Sequence, residues 1–166
     1  MQNAINSTHN YLIFDVLQKC TLKSVKVVAN SAGNRTIELR NSSGAVLQST
    51  VVNIPAGTQT VTLNFNLTPG TNYQLGTSTL PDMWRNNSGS GYPYNIGGLV
   101  NIKTADAGNT FYYYFYNWQV QGEDCKSVPT AVTANVSVCT GLNEANAENS
   151  VSIYPNPAAN QLTFNL

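Results

Sequence analysis

Two stretches of this sequence combine aromatic rings with hydrogen-bonding side chains at spacings that can hold a ligand. The first is Met83-Trp84-Arg85-Asn86-Asn87-Ser88-Gly89-Ser90-Gly91-Tyr92-Pro93-Tyr94-Asn95. It has no apolar period and reads as a long irregular loop, the kind of segment where recognition is built on a rigid β scaffold. Trp84, Arg85, Asn86, Tyr92 and Tyr94 supply flat apolar area together with neutral and cationic donors, which suits a neutral polyol such as a glycan. A purely structural reading fits as well, with Trp84 plugging one end of the fold and Arg85 capping backbone carbonyls. The second stretch is Phe111-Tyr112-Tyr113-Tyr114-Phe115-Tyr116-Asn117-Trp118-Gln119-Val120. As one regular strand it puts Tyr112, Tyr114, Tyr116 and Trp118 on one face, and Phe111, Tyr113 and Phe115 on the other. The tyrosine row is then either core, with hydroxyls reaching the rim, or an exposed platform on which sugar rings stack.

Little here supports catalysis. His9 is the only histidine, so no paired-histidine metal motif is available, and a serine triad would have to use a residue preceding the first clear strand. Two-carboxylate hydrolysis would have to draw on Asp15, Glu38, Asp82 and Asp106. Glu38 alternates with Ile37 and Leu39 and is expected to face solvent, while Asp82 and Asp106 fall in turns. No phosphate loop or dinucleotide fingerprint is present. The expectation is a non-enzyme without cofactor or metal; a structural calcium ion stays open as an alternative but without support, since the sequence offers no dense acidic cluster.

Composition narrows the partners. Of the 166 residues, 10% are charged, and eight basic residues balance eight acidic ones. Phosphate binding needs clustered Lys and Arg, so nucleic acid is excluded as a partner. No run of about 20 apolar residues exists to span a membrane. The start, Met1-Gln2-Asn3-Ala4, lacks the basic and apolar regions of a signal peptide, so an export signal is expected upstream of this fragment.

The elements that must position these residues are strands. Thr60 to Leu67 alternates polar and apolar residues, the mark of a half-buried strand, and Pro69-Gly70 turns it. Asn41-Ser42-Ser43-Gly44 joins Thr36–Arg40 to the strand running from Ala45 to Ile54 as a hairpin. Further strands are expected at Tyr11–Leu17, Leu22–Ala29, Asn72–Gly76, Leu99–Lys103 and Phe111–Gln121. No stretch holds a helical period. Roughly eight or nine short strands predict an all-β, antiparallel β-sandwich of jelly-roll-like form. The residues before Tyr11 are expected to be loose.

Two resemblances extend this reading. Tyr154-Pro155-Asn156-Pro157-Ala158, followed by Gln161-Leu162-Thr163-Phe164, resembles the start of the C-terminal sorting domain of Bacteroidetes type IX secretion cargo. It implies an extracellular or outer-surface location and a partner in the type IX machinery. The segment from Ile37 to Thr77 looks like jelly-roll modules of secreted bacterial multidomain proteins, often sugar-binding or adhesive. The pattern of Cys125, Ser127, Val132 and Ala134 resembles the joint that precedes sorting domains.

The chain is accordingly divided into a sandwich over 1–121, a connecting segment with one possible strand (130–138) over 122–140, and a linker with a truncated sorting domain over 141–166. An odd count of cysteines in a secreted chain suggests one disulfide, Cys125 with Cys139, or with Cys20 as the alternative. The function expected is a non-catalytic carbohydrate-binding or surface-adhesion module for a glycan or cell-surface polysaccharide. The alternatives are a structural spacer against an absent catalytic domain and a small glycan-active hydrolase.

Overall fold

A computed structural model describes residues 3–88, 90–123, 152–154 and 163–165. The chain divides into two units, Met1–Cys125 and Lys126–Leu166. The first contains two antiparallel sheets and no helix among its described residues.

One sheet runs in the order β5 (Val46–Ile54), β4 (Gly33–Arg40), β7 (Gly70–Thr77), β2 (Tyr11–Val16), β10 (Val100–Ala105), β9 (Tyr94–Ile96). The other is built on the long strand β3 (Cys20–Ala29), which pairs with β6 (Gly57–Leu67) and β12 (Tyr116–Gly122) and touches β8 (Met83–Asn86) at its end. β8 in turn pairs with β1 (Asn3–Asn6) and β11 (Tyr112–Tyr113). The two inward faces share one core. Leu12, Phe14, Ile37, Leu39, Leu75 and Val100 enter it from the first sheet, and Leu22, Val25, Val27, Phe65 and Trp118 from the second. Phe14 meets Trp118 edge-on across the layers at 5.1 Å. This is the packing of a sandwich, and it follows from the alternation seen in β2 and β6, whose odd-even pattern leaves one row to bury.

Several expectations need correction. Among the described residues of the first unit there are twelve strands, not eight or nine. Residues 3–6 are a paired strand rather than a loose end, because β8 gives them a ladder. The 83–95 segment is not wholly a loop, since β8 opens it and β9 closes it. The aromatic run is two strands, β11 and β12, because Tyr114 (φ 49°) and Asn117 (φ 44°) are left-handed and break the alternation. Glu38 is buried, not solvent-facing; β4 lies between two other strands, and Arg40 answers the carboxylate with a salt bridge. Burial, the largest single effect, raises its pKa, but hydrogen bonds from Ser78 and Arg40 together with the Arg40 and His9 charges lower it overall.

Cys20 is a buried free thiol, so the alternative bridge through it is not formed, and burial raises its pKa. Cys125 and Cys139, the connecting strand at 130–138, and Pro155, Asn156, Pro157 and Ala158 lie outside the described residues. In the second unit, β13 (Ser152–Tyr154) pairs antiparallel with β14 (Thr163–Asn165), so Tyr154 of the expected sorting motif ends a strand.

A buried cation ties the loops at one end. Arg35 is 3% exposed and donates to the carbonyls of Pro81, Gly33, Ile54 and Ser31. Asp82, held by Asn30 and Ser31, balances it at 3.8 Å. Removing the guanidinium strands several acceptors in the interior, which is costlier than losing the bonds alone. Arg35→Met is predicted to lower unfolding free energy by about 3 kcal/mol, read from the denaturant midpoint at unchanged slope.

Candidate functional site

The two sequence stretches of interest meet at one cleft. It encloses about 390 Å³ and is lined by Asn86 from β8, Tyr94, Asn95 and Ile96 from β9, Ile102 from β10, Tyr112 from β11, and Tyr116, Asn117 and Trp118 from β12. The walls therefore come from both sheets. β9 is the last strand of its sheet, so this wall sits at the edge of the fold and not on a closed face.

Local backbone strain builds the other wall. In a regular strand, residues 116, 117 and 118 alternate sides, and Asn117 could not share a cleft with both neighbours. Here Asn117 is left-handed, and the pairing of β12 with β3 slips between Tyr116 and Gln119. All three residues consequently line the same space. Asn tolerates this conformation better than most residues. Tyr114 does not, and its bend is held by specific bonds. Its ring is fully buried, its hydroxyl donates to the Thr8 carbonyl at 2.6 Å, and Asn6 donates to that hydroxyl at 2.6 Å. Beside it, Trp118 Nε1 donates to the Phe115 carbonyl at 2.8 Å and fixes the indole.

The rings form one packed group. Tyr92 stacks on Tyr112 at 5.8 Å and Tyr112 on Tyr116 at 5.4 Å, with Tyr94 edge-on to both Tyr92 and Tyr112. Their hydroxyls are anchored: Tyr92 donates to the Phe111 carbonyl, and Tyr116 to the Trp84 carbonyl and to Asn86 Oδ1. Burial pushes the hydroxyls of Tyr92, Tyr112 and Tyr114 far above the ordinary tyrosine range, and that of Tyr116 up to about 12. Tyr92, Tyr112, Tyr114 and Tyr116 are therefore neutral at physiological pH. Among the described residues no Asp, Glu, Lys, Arg or His lines the cleft.

The structure thus gathers Asn86, Tyr94, Tyr112 and Tyr116, with Tyr92 packed directly behind them. It does not gather the remaining candidates. Trp84 pairs with Ile5 on β1 and does not line the cleft; its carbonyl accepts from the Tyr116 hydroxyl. Arg85 sits over the rings of Phe111 (4.6 Å) and Tyr113 (5.4 Å) and donates to the Tyr113 hydroxyl at 2.9 Å. That cation is occupied by aromatic faces, and among the described residues it caps no carbonyl. Tyr112, Tyr114 and Tyr116 are not one exposed platform, because Tyr114 lies wholly inside. Sequence reasoning missed Asn95, Ile96, Ile102, Asn117 and Trp118 as lining residues. The short stretch Tyr94-Asn95-Ile96 carried a weak alternating signal; nothing in the sequence announced the turn at Asn117.

The carboxylates weighed for catalysis are all engaged elsewhere. Asp15 accepts from Lys103 and the Asn72 amide; Asp106 accepts from Asn10 and the Tyr11 amide. Tyr11 and Asp15 are four residues apart on β2, so about 13 Å of strand separates the two sites. That exceeds the roughly 5–9.5 Å needed between a hydrolytic pair. Among the described residues no group of three or more His, Cys, Asp or Glu side chains could hold a metal.

The buried tyrosines make alkaline stability a direct readout of this packing. Their folded pKa values lie above the unfolded value of 10.0, so the neutral hydroxyl belongs to the fold. The contribution is fully present below pH about 10 and is lost as pH rises through about 12. Absorbance at the phenolate band is predicted to show these tyrosines un-ionised at pH 11, followed by ionisation together with unfolding. Smooth titration of every tyrosine near pH 10 with the fold intact contradicts the packing.

Comparison with protein-family models, with curated proteins and with solved structures finds no match for this chain.

Proposed function

We propose that the first unit is a non-catalytic carbohydrate-binding or surface-adhesion module. The observation that carries the reading is the cleft, in which aromatic rings and three asparagine amides converge on a space of about 390 Å³. Pockets of this size hold small organic ligands. Ring faces and edges match the apolar patches of a pyranose, and an amide group can donate and accept as a sugar hydroxyl does; Asn95 Oδ1 already accepts from the Gly98 amide and Asn86 Oδ1 from Tyr116. The engagement of Asp15, Glu38, Asp82 and Asp106 in structural bonds weighs against the hydrolase alternative. The jelly-roll relationship, export by the type IX route and an outer-surface address belong to the same proposal, on the strength of the sequence resemblances at Ile37–Thr77 and Tyr154–Ala158.

The spacer alternative draws on exposed Val46, Leu47 and Val51 of edge strand β5. Val46 and Leu47 are adjacent and point to opposite faces, and Ser49 interrupts the row shared by Leu47 and Val51. They do not make the continuous dry patch that a permanent domain contact would use.

A glycan-array screen followed by calorimetric titration tests the proposal. Tyr94→Ala is predicted to weaken binding by about tenfold or more, the order of one lost ring contact plus a lost wall of the pocket. Trp84→Ala, outside the cleft, is predicted to leave it within a factor of about two. Silence of the wild-type chain toward every glycan, or equal effects of the two substitutions, rejects the site. Recovery of the protein from the cytosol of its own cells rejects the address.

A further inference from the structure

We infer that the cleft selects uncharged sugar units and discriminates against sugars bearing a carboxylate, a sulfate or a free amine. The inference rests on the glycan reading above and names the ligand class that the same cleft would take.

The argument is one of charge balance at a partly dry surface. Three primary amides, Asn86, Asn95 and Asn117, are the polar side chains of the lining besides the tyrosine hydroxyls. Trp118 and Ile102 close the floor; they are 7% and 1% exposed. An ionised group entering this space would shed water and meet no counter-charge among the described residues, a loss that neutral hydrogen bonds do not repay. Arg85, the cation nearest in sequence to Asn86, is held over the rings of Phe111 and Tyr113 and by its hydrogen bond to the Tyr113 hydroxyl. Lys26 is the strand partner of Tyr116 but does not line the cleft. A hydroxyl or an acetamido group, in contrast, exchanges water for an amide at little cost.

Asn117 is the sharpest probe of the amide set. It is exposed, it lines the cleft, and its backbone is left-handed at φ 44°. Glycine adopts that conformation freely, so Asn117→Gly removes the amide while keeping the bend. A purely structural role for Asn117 would leave binding unchanged in this variant.

The experiment uses the full chain and four sets of tetrasaccharides of matched linkage: neutral hexoses, N-acetylhexosamines, hexuronates and free-amine hexosamines. At least one uncharged set is expected to bind, the charged sets about tenfold more weakly or worse, with affinity unchanged between low and high salt. Asn117→Gly is expected to weaken the neutral ligand about tenfold while its melting temperature holds. Hexuronates or free-amine sugars that bind as tightly as neutral ones overturn the inference and leave glycan binding standing. Neutral binding that is indifferent to Asn117→Gly overturns the role given to the amides. Failure of all four sets overturns the functional proposal and this inference with it.

Discussion

The bend at Tyr114 is the constraint on which the candidate site depends. A bulky aromatic residue at φ 49° is strained, typically by about 1–3 kcal/mol, and persists only where its surroundings over-determine it. Here the surroundings are explicit. The phenol is buried and its hydroxyl is bonded on two sides by Asn6 and by the Thr8 carbonyl. The neighbouring Phe115 amide folds back on the Tyr113 carbonyl at 2.6 Å. Because Asn6 ends β1, the N-terminal strand takes part in holding the bend. A segment that would otherwise run as one strand instead leaves β8, turns, and joins β3. That transfer brings Tyr112, Tyr116, Asn117 and Trp118 into one cleft.

Energetically the cleft is a rim on a conventional core. Burial of the alternating rows of both sheets supplies the main driving force, at about 25 cal/mol per Å² of apolar surface. The aromatic group is continuous with it, through Trp118 against Phe14 and Phe14 against Tyr73. Rigid rings with anchored hydroxyls lose little further freedom when a ligand arrives, which favours binding by preorganisation. Among the described residues the lining carries no Asp, Glu, Lys, Arg or His, and that is the basis of the proposed preference for uncharged ligands.

Much of the fold was legible because most strands obey simple rules. β6 is isolated by turn residues and alternates cleanly, so its buried row of Val61, Leu63, Phe65 and Leu67 could be read directly. β2 follows the same rule. β8 was hidden because Met-Trp-Arg-Asn shows no alternation; Arg85 spends its charge on aromatic faces and behaves as a partly buried residue. Glu38 misled for a related reason, since an interior strand buries both faces and a salt bridge to Arg40 lets a carboxylate go inside. The aromatic run was assigned to the right place and given the wrong phase. Composition marks such a run as sheet, but a left-handed tyrosine is imposed by tertiary bonds to Asn6 and Thr8, more than a hundred residues away in sequence. The candidate site was half visible for that reason: its aromatic members were named, and the amide brought in by the second bend was not.

The central claim is that two bends in one aromatic segment create a cleft of rings and amides that receives an uncharged sugar. The most direct measurement is a heteronuclear NMR titration of the full chain with neutral oligosaccharides. The account predicts progressive shifts of the side-chain amides of Asn86, Asn95 and Asn117 and of the Trp118 indole, with β5 and the outer residues of β6 undisturbed. Shifts confined to other surfaces, or a spectrum that ignores every neutral sugar at millimolar concentration, would contradict it.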